Sequence, residues 1–174
     1  MINTNNQNNT KESILYNNIL LLSRNELLYT KFNLSDTFQN RIHLIFIHIS
    51  FLFAKIKLSN SEQKYKAFSQ KLFDFIFRQV EINMREVGYG DVSVNKNMKS
   101  LIKSFYNILL YCEKYKNKTN ESKNNFFLKY LKFNNAKKTP NNEVISKYFN
   151  KFETFCFVLK DDSVLQGKIN FNYN

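Results

Sequence analysis

Apolar residues recur along this chain with the period of an α-helix in almost every segment. Between residues 36 and 58, Phe38, Ile42, Ile45, Ile49, Leu52 and Ile56 repeat at spacings of four and three, one helical face. Leu44, Phe46, Ile47, Phe51 and Phe53 fill the other faces. A helix apolar around its whole circumference belongs at the centre of a bundle, so 36–58 is expected to be the most buried element. Ser35 or Asp36 is its expected N-cap, because a short side-chain oxygen there accepts an orphan N–H.

The same period continues on both sides. Residues 11–32 read as one or two short helices. Residues 62–87, capped by Ser61, carry a buried stripe of Tyr65, Phe68, Leu72, Ile76, Val80, Met84 and Val87. Residues 94–116 bury Val94, Met98, Leu101, Phe105, Leu109 and Cys112. A polar loop at 117–122 leads to a short helix around FFLKYLKF, and a loop holding Pro140 leads to a last helix at 142–160. That helix buries Ile145, Tyr148, Phe149, Phe152, Phe155, Cys156 and Leu159. The expected organisation is a disordered tail at 1–13, one helical domain at 14–160, and a C-terminal tail at 161–174. In that tail the alternation of Ile169, Phe171 and Tyr173 is only a weak strand signal.

Composition agrees. Three glycines and one proline in 174 residues leave few of the turns that hairpins and sandwiches require. The reading is an all-α, compact single-domain bundle of about six helices. The most apolar run, Leu44 to Ala54, is 11 residues. As a helix it spans roughly 16 Å, about half a bilayer's hydrocarbon core, so no transmembrane span is expected.

The net charge is +12. Abundant Lys, Asn, Ile, Phe and Tyr fit AT-rich codon usage, and only four residues are Arg, the fork-shaped reader of phosphates and bases. The charge is nevertheless uneven. Residues 94–138 hold 11 Lys against two acids, Glu113 and Glu121, while the other 129 residues are nearly balanced. A basic face is expected there.

Candidate chemistry is sparse. His43 and His48 are five apart, about 140° around a helix, a poor arrangement for one metal. His48 lies in an apolar run and reads as a satisfied core histidine. Cys112 and Cys156 lie in apolar helical patterns without CxxC spacing and read as buried free thiols. No catalytic residue, cofactor or metal site is expected.

Two of the three glycines sit in the stretch Arg85–Val94, REVGYGDVSV. Gly88 suits the left-handed position that ends a helix, Gly90 a second turn, and Asp91 and Ser93 the caps of the next helix. The expectation is a tight helix–helix corner fixed by two glycines, with Tyr89 held near the surface. GYGDVS follows a helix rather than a strand, so it fails as a dinucleotide-binding loop. Asp74–Arg78 and Glu81–Arg85 are spaced as i,i+4 pairs leading into the corner.

Residues 72–106 resemble the ubiquinol–cytochrome c chaperone family of alphaproteobacteria and mitochondria. The pattern is R-E-x-G-x-G-D, a small residue, Val, a basic position, M-K and later F-Y. Arg85, Glu86, Gly88, Gly90, Asp91, Ser93, Val94, Lys96, Met98, Lys99, Phe105 and Tyr106 occupy those places. Residues 28–57 resemble the family's opening, with D-T, Arg41 and His48. The resemblance covers about 14–115, and the chain departs from the pattern beyond it.

The resemblance implies a non-enzymatic assembly factor for the cytochrome bc1 complex (complex III), assisting newly made cytochrome b at the membrane or ribosome. The implied partners are cytochrome b or bc1 assembly intermediates, the ribosome, a small partner subunit and peripheral membrane contact. No transit peptide is visible, which points to a bacterial cytoplasm, peripheral on the inner membrane (the matrix side for mitochondrial relatives). The expected interaction face joins Arg78, Arg85, Tyr89, Asp91, Lys96, Lys99 and Lys103. The alternative is a basic helical nucleic-acid-binding domain for RNA or DNA, with 94–138 tracking phosphates.

Overall fold

Four helices pack against one. In the computed structural model, which describes residues 10–58, 62–134 and 142–173, the central helix is α3, Phe38–Lys57. Around it lie α1 (Lys11–Ser23), α4 (Glu62–Glu86), α5 (Asp91–Glu113) and α7 (Asn142–Val158). A five-residue α2 (Glu26–Thr30) follows α1, and α6 (Asn120–Tyr130) packs on α7. A five-residue α8 (Asp161–Leu165) closes against α1. The fold is an all-α bundle; among the described residues it has six longer helices and two short ones, and the only β pairing is a single bridge, Leu34 to Phe133.

The all-round apolar composition of α3 is what makes it central. Leu44, Phe46, Ile47, Ile49, Phe51 and Leu52 are fully buried although they point in every direction from the helix axis. Aromatic rings close the space around them. Phe46 lies 5.3 Å from both Phe77 of α4 and Phe105 of α5. Phe51 lies 4.9 Å from Tyr115 and 6.0 Å from Phe149. These are mostly edge-on or tilted contacts, the geometry ring quadrupoles favour.

The start of α3 differs from expectation. Its N-cap is Thr37, whose hydroxyl accepts from the Asn40 backbone N–H at 3.2 Å. Asp36 is engaged elsewhere: both its oxygens take a fork from Arg41 at 2.7 and 2.8 Å. The bidentate guanidinium holds the Asp36 carboxyl below its ordinary value. Ser35 pairs through its backbone N–H with Lys132 O at 2.9 Å. Asn40, fully buried, completes the junction. Its amide donates to Ser35 O and Lys132 O, both at 2.7 Å, and accepts from Lys132 N at 2.9 Å. One side chain thereby ties α3 to the strand-like segment after α6.

Other boundaries move for local reasons. α6 begins at Asn120, inside the expected polar loop, because Thr119 caps it by accepting from Ser122 N at 3.2 Å. It ends at Tyr130, because residues 131–134 pair with 33–35. α5 begins at Asp91 and ends at Glu113, followed by a 3-10 turn at Tyr115–Asn117. Helical structure starts at Lys11 and extends to Leu165. Beyond it, the alternating Ile169, Phe171 and Tyr173 form no strand but enter the core as an extended strap. Phe171 lies 5.0 Å from Phe152, and Tyr173 5.8 Å from Phe32. Asn18 of α1 holds the strap by donating to Gly167 O at 2.6 Å. The proposed Ser61 cap and the Pro140 loop lie outside the described residues.

Candidate functional site

The corner between α4 and α5 is built by backbone hydrogen bonds before any side chain contributes. The Tyr89 N–H reaches back to Met84 O and the Gly88 N–H to Arg85 O, both at 3.0 Å. This is the paired closure of a helix that ends in a left-handed residue. Gly88 supplies that residue, with φ +97°. Gly90 does not share the role. Its φ is −72°, ordinary for any residue, and an added Cβ would meet nothing within 4 Å. Gly90 is the N-cap of α5, and no side chain caps that end. The expectation that Asp91 and Ser93 cap α5 is therefore corrected. Asp91 is the first helical residue, where its charge complements the N-terminal dipole, and Ser93 lies exposed in the first turn.

Arg85 is the centre of the corner. Its Nε and Nη2 donate to Glu81 Oε1 at 3.2 and 2.9 Å, and its Nη1 donates to Asp91 Oδ1 at 2.5 Å. One guanidinium therefore links the last turn of α4 to the first turn of α5. The hydrogen bonds it donates to Asp91, then to Glu81, raise its pKa further. The Glu81–Arg85 pair forms as the spacing implies. The companion pair does not: Asp74 accepts from Gln70 Nε2 at 2.8 Å, and no ion pair joins it to Arg78.

The remaining residues of the expected face are placed as follows. Tyr89 is partly exposed, with its ring 6.4 Å from Phe38 at the head of α3. Arg78 is exposed on α4, two turns from Arg85, about 10 Å along the axis. Lys96, Lys99 and Lys103 are exposed on the outer side of α5. The structure joins Arg85 to Asp91, and leaves Arg78 and the three lysines without an ion pair among the described residues.

The periodicity missed the apolar character of the corner. Val87, assigned to the buried stripe, is 64% exposed; its N–H still bonds Asn83 O at 3.1 Å, so the stripe's last residue stands at the helix end without a buried position. Val92 is 84% exposed and Ile82 40%. The corner thus presents aliphatic groups beside a clamped guanidinium.

The titratable interior reads as structural. His48 is fully buried; it donates from Nδ1 to Leu44 O at 2.7 Å and accepts at Nε2 from the Tyr148 hydroxyl at 2.8 Å. Burial pushes its pKa down to about 4. His43 donates to Tyr130 O at 2.6 Å and accepts from Gln39, and burial lowers its pKa as well. Cys112 and Cys156 are buried free thiols, held well above their ordinary value first by desolvation. Among the described residues no cluster of metal-ligating side chains forms, and no helix is long and apolar enough to cross a membrane.

Comparison with known proteins gives a consistent set of findings. A family model described as ubiquinol-cytochrome C chaperone matches residues 30–123, a span that includes α3, α4, the corner and α5. The curated proteins give no significant match. A crystal structure of the Cbp3 homolog from Brucella abortus is similar over 94% of this chain and 89% of that one, with a TM-score of 0.79 and 21% sequence identity. At that identity the likeness speaks to the fold.

Proposed function

The chain belongs to the ubiquinol–cytochrome c chaperone family, and on that premise we propose that it is a non-enzymatic assembly factor of the cytochrome bc1 complex whose client is newly made cytochrome b. It acts peripherally at the inner membrane, on the cytoplasmic side in a bacterium, where emerging cytochrome b meets the bilayer. The client, or the ribosome delivering it, is received at the α4–α5 corner. Arg78, Arg85, Tyr89 and Asp91 form this receiving surface, and Lys96, Lys99 and Lys103 on the neighbouring face of α5 border it.

The observation that carries the surface is the Arg85 clamp. The family-like string is densest where Arg85 joins Glu81 and Asp91 across the Gly88 turn. Exposed Val87, Tyr89 and Val92 surround this fixed point. A preorganised mixed surface loses little conformational freedom when a partner docks. A clamp made of exposed charges stabilises the monomer only weakly, which leaves recognition as the better account of three polar groups held in register.

The test is complementation. A strain lacking this protein should lose membrane cytochrome b, read from its reduced-minus-oxidised spectrum, and the wild-type gene should restore it. The double variant Arg78→Glu with Tyr89→Ala, confirmed as folded by circular dichroism, should restore well under half. Full restoration by the variant would remove the corner from the reading. Normal cytochrome b in the deletion strain would remove the client.

A further inference from the structure

The outer face of α5 carries one row of basic and apolar side chains. Val92, Lys96, Lys99, Lys103, Tyr106 and Leu110 follow one another at spacings of four and three. At 100° per residue they fall within an arc of about 80°. Lys114, the exposed C-cap, continues the same line. The arc is diametrically opposite Val94, Leu101, Phe105, Ile108 and Cys112, which face the core. From Val92 to Lys114 the line is about 33 Å long.

Two features distinguish this line from an ordinary solvated helix face. The first is unopposed charge. The acids of α5 are Asp91 and Glu113, and each already has a basic partner on another helix. Asp91 is held by Arg85, and Glu113 by Lys57 at 2.9 Å. The four lysines of the line have no ion pair among the described residues. The second is exposed apolar surface on the same line: Val92 at 84%, Leu110 at 60% and Tyr106 at 51%. Apolar groups thus stand at both ends of a basic centre.

We propose that this face of α5 lies on an anionic phospholipid bilayer, with the lysines at the headgroup phosphates and Val92, Tyr106 and Leu110 entering the interfacial layer. The inference rests on the peripheral site of action given above and names the surface and the lipid chemistry behind it. Lysine suits diffuse attraction to a charged surface, each one near an anionic leaflet adding about fivefold to binding. Exposed aliphatic side chains gain when a bilayer removes them from water, and gain nothing against a phosphate backbone. A polynucleotide would instead be met by guanidinium forks or by successive stacking rings. This line has no arginine and one ring.

The experiment uses the purified full chain and vesicles of phosphatidylcholine with or without phosphatidylglycerol, separated by sedimentation. The protein should bind the phosphatidylglycerol vesicles, and salt should weaken the binding. The variant Lys96→Glu, Lys99→Glu, Lys103→Glu should lose on the order of 100-fold in affinity. A charge-matched control, Lys11→Glu, Lys31→Glu, Lys71→Glu, changes exposed lysines elsewhere and should lose far less. The chain contains no tryptophan, so Tyr106→Trp gives a single reporter whose emission should shift to the blue on phosphatidylglycerol vesicles. Val158→Trp, at a 79% exposed position on α7, should not shift.

The proposal is overturned by absence of binding, by equal losses in variant and control, by an unshifted Tyr106→Trp, or by single-stranded RNA outcompeting the vesicles. No cytochrome b is present in this assay, and the corner variant Arg78→Glu, Tyr89→Ala should bind vesicles normally. Failure here is therefore separable from failure of the assembly role.

Discussion

Acidification should expose the role of His48. In the folded chain its imidazole is enclosed by Tyr148, Phe149 and Phe152, with ring centroids at 5.7, 5.0 and 4.7 Å. Burial lowers its pKa from 6.5 to about 4, and no charged neighbour contributes to that shift. The unfolded chain therefore binds a proton that the folded chain refuses between those two values. Stability from this group is fully present above pH 6.5 and is lost as pH falls towards 4. The shift corresponds to about 3 kcal/mol at 1.36 kcal/mol per unit. That is a large fraction of the 5–15 kcal/mol by which domains are typically stable. The measurement is urea unfolding followed by far-ultraviolet circular dichroism at several pH values between 7 and 4. His43 contributes with the same sign, and Glu153, raised by burial, with the opposite sign. The informative quantity is therefore the difference from His48→Gln, which does not titrate. That variant should be less stable at pH 7 yet lose less on acidification. Parallel pH profiles for wild type and variant would refute the argument.

Two further stability predictions follow from single positions. Gly88 has φ +97°, so Gly88→Val should cost about 1–3 kcal/mol, whereas Gly90→Val, unstrained but at an N-cap that favours glycine over valine, should cost under about 1 kcal/mol in thermal melts. Asn40→Ala leaves Ser35 O and both backbone groups of Lys132 without this partner, and should cost on the order of 3 kcal/mol, read as a lowered urea midpoint.

Periodicity made the bundle legible because burial is periodic. The stripes of α4, α5 and α7 and the all-round apolar α3 follow directly from residue spacing. Gly88 was legible for a different reason: a glycine at the end of an apolar stripe has few other uses. What stayed hidden depended on partners that local capping rules do not consider. Thr37 is the cap because Asp36 is taken by Arg41 and Ser35 by Lys132, and no local rule ranks three adjacent capping residues. Asp91 reads locally as a cap, yet its carboxylate is claimed by Arg85 from the preceding helix. Val87 continues the stripe and is nevertheless exposed, because periodicity gives a residue's direction on the helix and not whether a neighbouring helix reaches that far. The strap at 167–173 was ambiguous because alternation reads as a strand whether its partner is a sheet or a groove between helices.

The family match ends at residue 123, while the fold likeness to the Brucella abortus protein extends over 94% of the chain. The two facts agree once the requirements on each half are compared. At the corner the fold needs a residue that tolerates positive φ and acids that one guanidinium can reach, which few residue types satisfy. Beyond α5 it needs ring volume. Phe126 stacks on Tyr111 at 4.0 Å, and Phe127 stacks on Phe149 at 5.1 Å. Tyr148, Phe149 and Phe152 complete the enclosure of His48. Many sequences supply apolar bulk in that arrangement, so the pattern can drift while the shape persists. The half beyond the match still matters to the corner. Tyr89 rests on Phe38 at the head of α3, and α3 is held from its other side by α7 through the His48–Tyr148 hydrogen bond. A lesion at Tyr148 should therefore loosen the surface proposed to receive the client without touching any residue of it.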